Sequence, residues 1–521
     1  MATAIRRGYL SAKISSSAHN NSLTGFLGRN AVLLAACSVS LLAWGGNVIN
    51  VKPELSEDGY YEIGYTPTKD DAKSVITAAN YPTYFGYVDW TALGFQTGDK
   101  VRLTGNVLLT SLPTDLEYDW SSSSLKKIVF ASNTVVPTGS TFTVPSGVEF
   151  CYNQGTVTVS GDTYSFSLTA ANKFKPIPCD FVVNGTVRCS STRDTVYSGR
   201  VSGTGTFQIS SYWYFISFTG ELTGSLKFDI GNTQKNCGFK IQTTNESPTI
   251  ASFTPYYYNG DGGYQYLEFN PNRSEPTTLT IGEVSASSTG DQMKVAAGHA
   301  IKVTTHNSNN FTLLRLGAGS ALFHFGKFGS SANNSTLRVN NDLNLTVDDF
   351  HYNRPHKVSY AGFTEALNTS TLDFSKSTSY ASVAITGKNP ATLPRQIKCA
   401  ASKTSAVTVS VTESEWTFPI DFGAESADEV NPNRCEGMGM LSVPETGTIT
   451  VTNAMALAGS AGPTRWTEYP LMTCTSGGEA FENWTVNFTG DWSKYSYRTE
   501  VRSTGLYLLA KRPLGLILLL K

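Results

Sequence analysis

Charge is what this sequence has least of. Only 16% of its 521 residues are Asp, Glu, Lys or Arg, against about 25% in an average globular chain. The formal net charge is −1 and no basic stripe runs through the chain beyond its N-terminal leader, so nothing would steer nucleic acid toward it. There is no CxxC pair to suggest a structural zinc site. GxSxG, HExxH and Walker motifs are all missing, and no cofactor or metal is expected. Stretches rich in Ala, Leu, Glu and Lys are few, which argues against helices. No apolar run reaches the about 20 residues of a spanning helix.

Aromatic and small polar residues fill the gap. The chain holds 25 Tyr, 27 Phe and 46 Gly. Thr, Val, Tyr and Phe fit a pleated surface, and Gly and Asn accept tight turns, so the mixture suits short strands with many turns. Its 40% hydrophobic content is enough to build a core and argues against disorder.

The N-terminus reads as a targeting signal. Arg6, Arg7, Lys13 and Arg29 precede the apolar run Ala31–Trp44, and small residues follow at Gly45 and Gly46. A basic lead, a short apolar stretch and a small-residue exit describe a secretory signal peptide over residues 1–45. Ala43 and Gly45 sit at −3 and −1 of a cut after Gly45. "LAAC" at Leu34–Cys37 also resembles a bacterial lipobox, which would put a lipid anchor on Cys37. The apolar run continues past that cysteine, which favours ordinary cleavage over lipidation, with an uncleaved anchor as the third reading. Secretion or display at the cell surface is the expected address, with no membrane span in the mature chain.

Seven cysteines follow the leader: Cys151, Cys179, Cys189, Cys237, Cys399, Cys435 and Cys474. An odd number at irregular spacing favours buried, reduced thiols over a disulfide framework. Cys179 and Cys189 are the pair best spaced to link neighbouring strands.

Three regions follow the leader. Residues 46–137 are less repetitive and read as an N-terminal cap with one short helix, Thr68–Asn80, capped by Thr68 and carrying Asp70 and Asp71 in its first turn. From 138 to 468, short alternating stretches recur, among them "STFTVPSGVEF", "CDFVVNGTVRC", "GTFQIS", "STLRVNNDLNLTV" and "GTITVTN". Each is bounded by Gly, Asn, Ser or Asp, the signature of strands at regular spacing. The uniform strand type and the lack of a linker favour a parallel β-helix, whose coils bury their apolar faces on one another. Tandem β-sandwiches are the alternative. Residues 469–521 read as C-terminal capping strands.

The stretch "TVYSGRVSGTGTFQISSYWYF" raises a sharper question, because Gly199, Gly203 and Gly205 imitate a phosphate-binding loop. That fingerprint needs a strand, GxGxxG and then a helix. Here the spacing is GxxxGxG and a β-branched, aromatic run follows, so the glycines are turn positions. "TVYSGRVSGTGTF" with "SFTGELTGSLKF" resembles the autotransporter-associated β-strand repeat. "YPLMTCTSGG", "NWTVNFTG" and "YSYRTEVRSTGLYLLAKRPLGLILLLK" resemble the closing segment of such passenger-like proteins. The resemblance implies a right-handed parallel β-helix on or outside a bacterial cell surface. An autotransporter also carries a C-terminal membrane barrel of long strands. The final run Leu514–Leu520, after Pro513, is too short for one and is expected to be the last capping strand.

Catalysis has weak support. Glycosidic hydrolysis uses two carboxylates flanking the cut, and the candidates are Asp348 and Asp349, with His299, His351, Arg354 and His356 nearby in sequence. Their order departs from that of polygalacturonases, which place paired aspartates before a Gly-His-Gly. Neighbours on a strand point to opposite faces, so Asp348 and Asp349 converge only at a bulge. "NGDGG" at Asn259–Gly263 lacks the acidic ligands of a calcium loop. A polysaccharide lyase or hydrolase is therefore the second reading.

Binding has better support. Tyr256, Tyr257, Tyr258, Tyr264 and Tyr266 crowd around that Gly turn. Tyrosine offers a flat apolar face with a polar tip, suited to sugar rings; the alternative is that alternate rings pack into the core or stack between coils. The sequence thus predicts an adhesin-like or structural protein that contacts extracellular glycan or other cell-surface components.

Overall fold

A computed structural model describes residues 54–64, 86–88, 94–135 and 138–152, and then the strands and most turns between 156 and 512. The expected leader, the helix Thr68–Asn80 and the run Leu514–Leu520 lie outside the described residues. Residues 46–521 form one compact unit.

Almost every regular element is a strand, and almost every pairing is parallel. The fold is an all-β parallel β-helix. One continuous ladder passes from Gly86–Val88 through Asn106–Ser111, Lys127–Val135, Glu149–Tyr152 and Thr186–Cys189 to Leu343–Phe350 and Gln396–Cys399. A second face begins at Thr195–Tyr197 and climbs through Phe215–Phe218, Cys237–Ile241 and Gln265–Phe269 to Cys435–Ser442. A third face is shorter. It is built from two separate three-stranded parallel sheets, one of Tyr61–Ile63, Lys100–Leu103 and Glu117–Asp119 and one of Thr141–Val144, Asp180–Val183 and Val201–Gly203. Sandwiches would be built largely from antiparallel neighbours, so this parallel stacking excludes them. The ladder already runs at Gly86, ahead of the boundary expected at 138.

Alternation explains the strands. In Thr206–Ile209, Phe207 and Ile209 are buried while Thr206 and Gln208 are half-exposed. Parallel register then places equivalent residues over one another, about 4.8 Å apart. One interior column reads Phe150, Val187, Phe207, Phe228, Phe253, Val284, His306, Phe328 and Phe350. All nine are buried. Each fully buried apolar side chain of this size contributes about 1.5–3 kcal/mol, so the column is a main source of cohesion between rungs.

The glycines of the "TVYSGR" motif lie where turn backbones stack. A Cβ on Gly199 would stand 2.1 Å from the Cys179 carbonyl oxygen, and one on Gly220 would stand 2.2 Å from that of Gly199. Only a residue without a side chain lets successive corners approach this closely.

The C-terminal end breaks the parallel rule. Gly505–Lys511 pairs antiparallel with both Thr467–Ser476 and Ser496–Arg502. Beneath it, Trp416, Phe481 and Trp484 pack edge to face with centroids 4.9–5.3 Å apart.

Candidate functional site

The outer surface of the second face carries an aromatic strip. Phe215, Gly238 and Tyr266 occupy equivalent positions on three successive strands. Gly238 has no side chain, so the Phe215 and Tyr266 rings meet across it with centroids 5.2 Å apart and planes at 33°. A Cβ at 238 would come within 2.1 Å of the Tyr266 carbonyl oxygen.

Two ammonium groups sit over these rings. The Lys240 Nζ is 4.4 Å from the Phe215 centroid and the Lys294 Nζ is 3.7 Å from that of Tyr266. Such cation–π contacts contribute about 0.5–2 kcal/mol each. Lys240, Glu268 and Lys294 share a register, so the cations alternate with a carboxylate along the stack. Burial lowers the Lys294 ammonium and Glu268 opposes that shift. Burial pushes the Tyr266 phenol well up, reinforced by Glu268 and Asp194. Asp194 also accepts the Phe215 backbone N–H at 3.1 Å.

Three of the five tyrosines singled out in the sequence fall among the described residues. Tyr256 and Tyr264 are exposed, at 44% and 48%. Their backbones are fixed: the Tyr256 N–H donates to Gln265 Oε1 at 2.7 Å and the Tyr264 N–H to Asn236 Oδ1 at 3.4 Å. Tyr266 is half-buried in the strip itself. Tyr257 and Tyr258 lie outside the described residues. Phe215, Lys240 and Lys294 were missed by sequence reasoning, because only the stack brings residues from separate rungs together.

The acidic candidates behave differently. Asp348 and Asp349 do not alternate between faces. Both are half-buried, flanked by buried Val347 and Phe350. The strand bends there, and so does each rung below it, at Gly326–Lys327, Thr304–Thr305 and Gly282–Glu283. The expected opposition of the two aspartates is thus corrected by a corner repeated through the stack. Asp348 Oδ2 lies 2.9 Å from His324 Nε2 and its Oδ1 lies 3.5 Å from Lys376 Nζ. The carboxylate is tied to the neighbouring strand on one side and to the turn after Thr371–Phe374 on the other. Asp349 accepts the Phe350 N–H at 3.0 Å.

His299 is nearly buried, and its Nδ1 accepts the Thr277 N–H at 3.2 Å. Burial lowers its pKa. It is part of the structure of its turn. His351 and Arg354 fall outside the described residues, as does the side chain of His356.

Cys179 and Cys189 are buried free thiols, so the bridge between them is not formed. Among the described residues no group of three His, Cys, Asp or Glu side chains is placed to hold a metal ion. No helix among them is long and apolar enough to cross a membrane. No protein-family model, no curated protein and no solved structure matches the chain.

Proposed function

We propose that this chain is a secreted or surface-displayed, adhesin-like β-helix that binds extracellular glycans without turning them over. The observation that carries the reading is the strip of Phe215 and Tyr266 with Lys240 and Lys294 above the rings, bordered by exposed Tyr256 and Tyr264. Flat rings stack on sugar faces, and the ammonium groups donate hydrogen bonds to hydroxyls or carboxylates. A regular stack also repeats weak contacts at fixed spacing, and multivalency converts these into retention.

The test is a glycan array run beside a polysaccharide turnover assay on the full chain. Saturable binding that falls about tenfold in Tyr264→Ala and Lys294→Ala, with no release of shortened or unsaturated products, supports the reading. Turnover that disappears in Asp348→Asn would replace it with a polysaccharide-active enzyme.

A further inference from the structure

A second groove lies on the short third face, where the sequence offers no obvious motif. Trp120 follows the strand Glu117–Asp119. Its indole is held by Tyr118, stacked at 5.2 Å and 24°, and by Phe142, edge-on at 4.9 Å and 71°. Tyr118 is itself anchored, its hydroxyl donating to the Pro113 carbonyl at 2.9 Å. The ring is therefore rigid before any ligand arrives, which removes an ordering cost from binding.

Trp120 lines an open groove of about 620 Å³, within the about 300–1,000 Å³ of small-molecule sites. The rest of the lining is short and polar: Ser121, Thr143, Ser146, Asn184 and Thr204, with Pro145 between them. These residues come from successive rungs. Asp180–Val183, the strand before Asn184, lies between Thr141–Val144 and Val201–Gly203. A chain laid along the stack axis meets fresh hydroxyl or amide groups at each step of about 4.8 Å.

Asp119 completes the lining. Arg102 Nε binds its Oδ2 at 2.6 Å, and the Ser121 N–H and hydroxyl donate to its Oδ1 at 2.8 and 2.6 Å. Arg102 also holds Asp58 and Glu62, at 2.6 and 3.3 Å. Its charge is spent on three carboxylates, and among the described residues lining the groove none is a cation.

We propose that this groove binds a neutral saccharide, one sugar face resting on the Trp120 indole and its hydroxyls meeting Asn184, Thr143 and Asp119. A rigid aromatic platform, a rim of hydroxyl and amide groups, and a carboxylate acceptor without a free cation together fit an uncharged polyol. They do not fit a sulfate, a uronate or a lipid tail. The inference stands apart from the Phe215–Tyr266 strip, since none of the residues is shared.

The test uses the full chain and neutral gluco-, xylo-, manno- and galacto-oligosaccharides, with binding read by calorimetry and by ligand-observed NMR. At least one series is expected to bind saturably. Asn184→Ala and Thr143→Val together weaken it about tenfold, and Trp120→Phe weakens it less than Trp120→Ala. Circular dichroism melts identify any variant that fails to fold, and the rim pair keeps the test valid if Trp120→Ala does. Absence of saturable binding by every neutral series overturns the proposal. So does binding unchanged in the Asn184 and Thr143 double variant, or lost only in Tyr264→Ala, which assigns the ligand to the other strip.

Discussion

His306 lies nearly face to face with Phe328, ring centroids 4.9 Å apart and planes at 24°, inside an interior column otherwise made of Phe and Val. Phe311 and Phe325 close on it edge-on at 5.0 and 5.2 Å. Neither ring nitrogen has a hydrogen-bond partner among the described residues. Burial brings its pKa down from 6.5 to about 3, so the imidazole is neutral in the folded state. The unfolded chain takes up a proton below pH 6.5 and the folded chain resists until about pH 3. Stability from this residue is complete above the upper value and is lost as pH falls through that window, by up to about 4–5 kcal/mol. His306→Phe is expected to remove this component. Melts of both proteins at neutral and acidic pH check it: the difference between them should grow in favour of the variant as the medium is acidified.

The stacked corners make a second expectation. Gly199→Ala and Gly220→Ala each force a Cβ into a carbonyl of the rung below, and each should destabilise by at least about 2 kcal/mol. Gly298 has a left-handed φ of 83° and nothing within 4 Å of a Cβ. Gly298→Asn should therefore cost less than about 1 kcal/mol, because Asn tolerates that region. Urea unfolding of the three variants separates crowding from backbone strain.

The Asp348 contacts with His324 and Lys376 are partly exposed. Pairs of this kind contribute about 0–1 kcal/mol. A double-mutant cycle on Asp348→Ala and His324→Ala should return a coupling in that range, and glycan retention should be unchanged in Asp348→Ala.

The thiols should be inert until the chain opens. Burial pushes Cys189, Cys237 and Cys435 up to about 12, and only thiolates alkylate readily. Labelling with iodoacetamide at mildly alkaline pH, read by peptide mass mapping, should leave these three unmodified in the folded protein and modify them in denaturant.

The strands were legible because alternation is a local signal. "GTFQIS" and "GTITVTN" announce their buried residues without help from the rest of the chain, and Phe207, Ile209, Ile449 and Val451 are buried as that pattern requires. The corners were not legible. In "IKVTTHNS", a strict period of two starting at Ile301 turns Thr305 inward and His306 outward. The bend places both Thr304 and Thr305 outside and shifts the phase by one, so His306 enters the core. The same slip brings Asp348 and Asp349 to one side. Trp120 gave no signal either, because the Ser run after it reads as turn punctuation, and its groove exists only once rungs with Thr143, Asn184 and Thr204 are stacked.

The strand reversal at Gly505–Lys511 bears on what happens when many copies meet. A parallel coil that simply stopped would offer its final edge as a template, and the first coil of another molecule would extend it into a fibre. On this face the reversed Gly505–Lys511 is followed at the edge by Ser496–Arg502, which runs with the ladder again and carries Arg498, Glu500 and Arg502, charges that discourage edge-to-edge growth. The charged hairpin Ser496–Lys511 thereby guards this edge of the sheet, and crowded copies are not seeded into fibres from it.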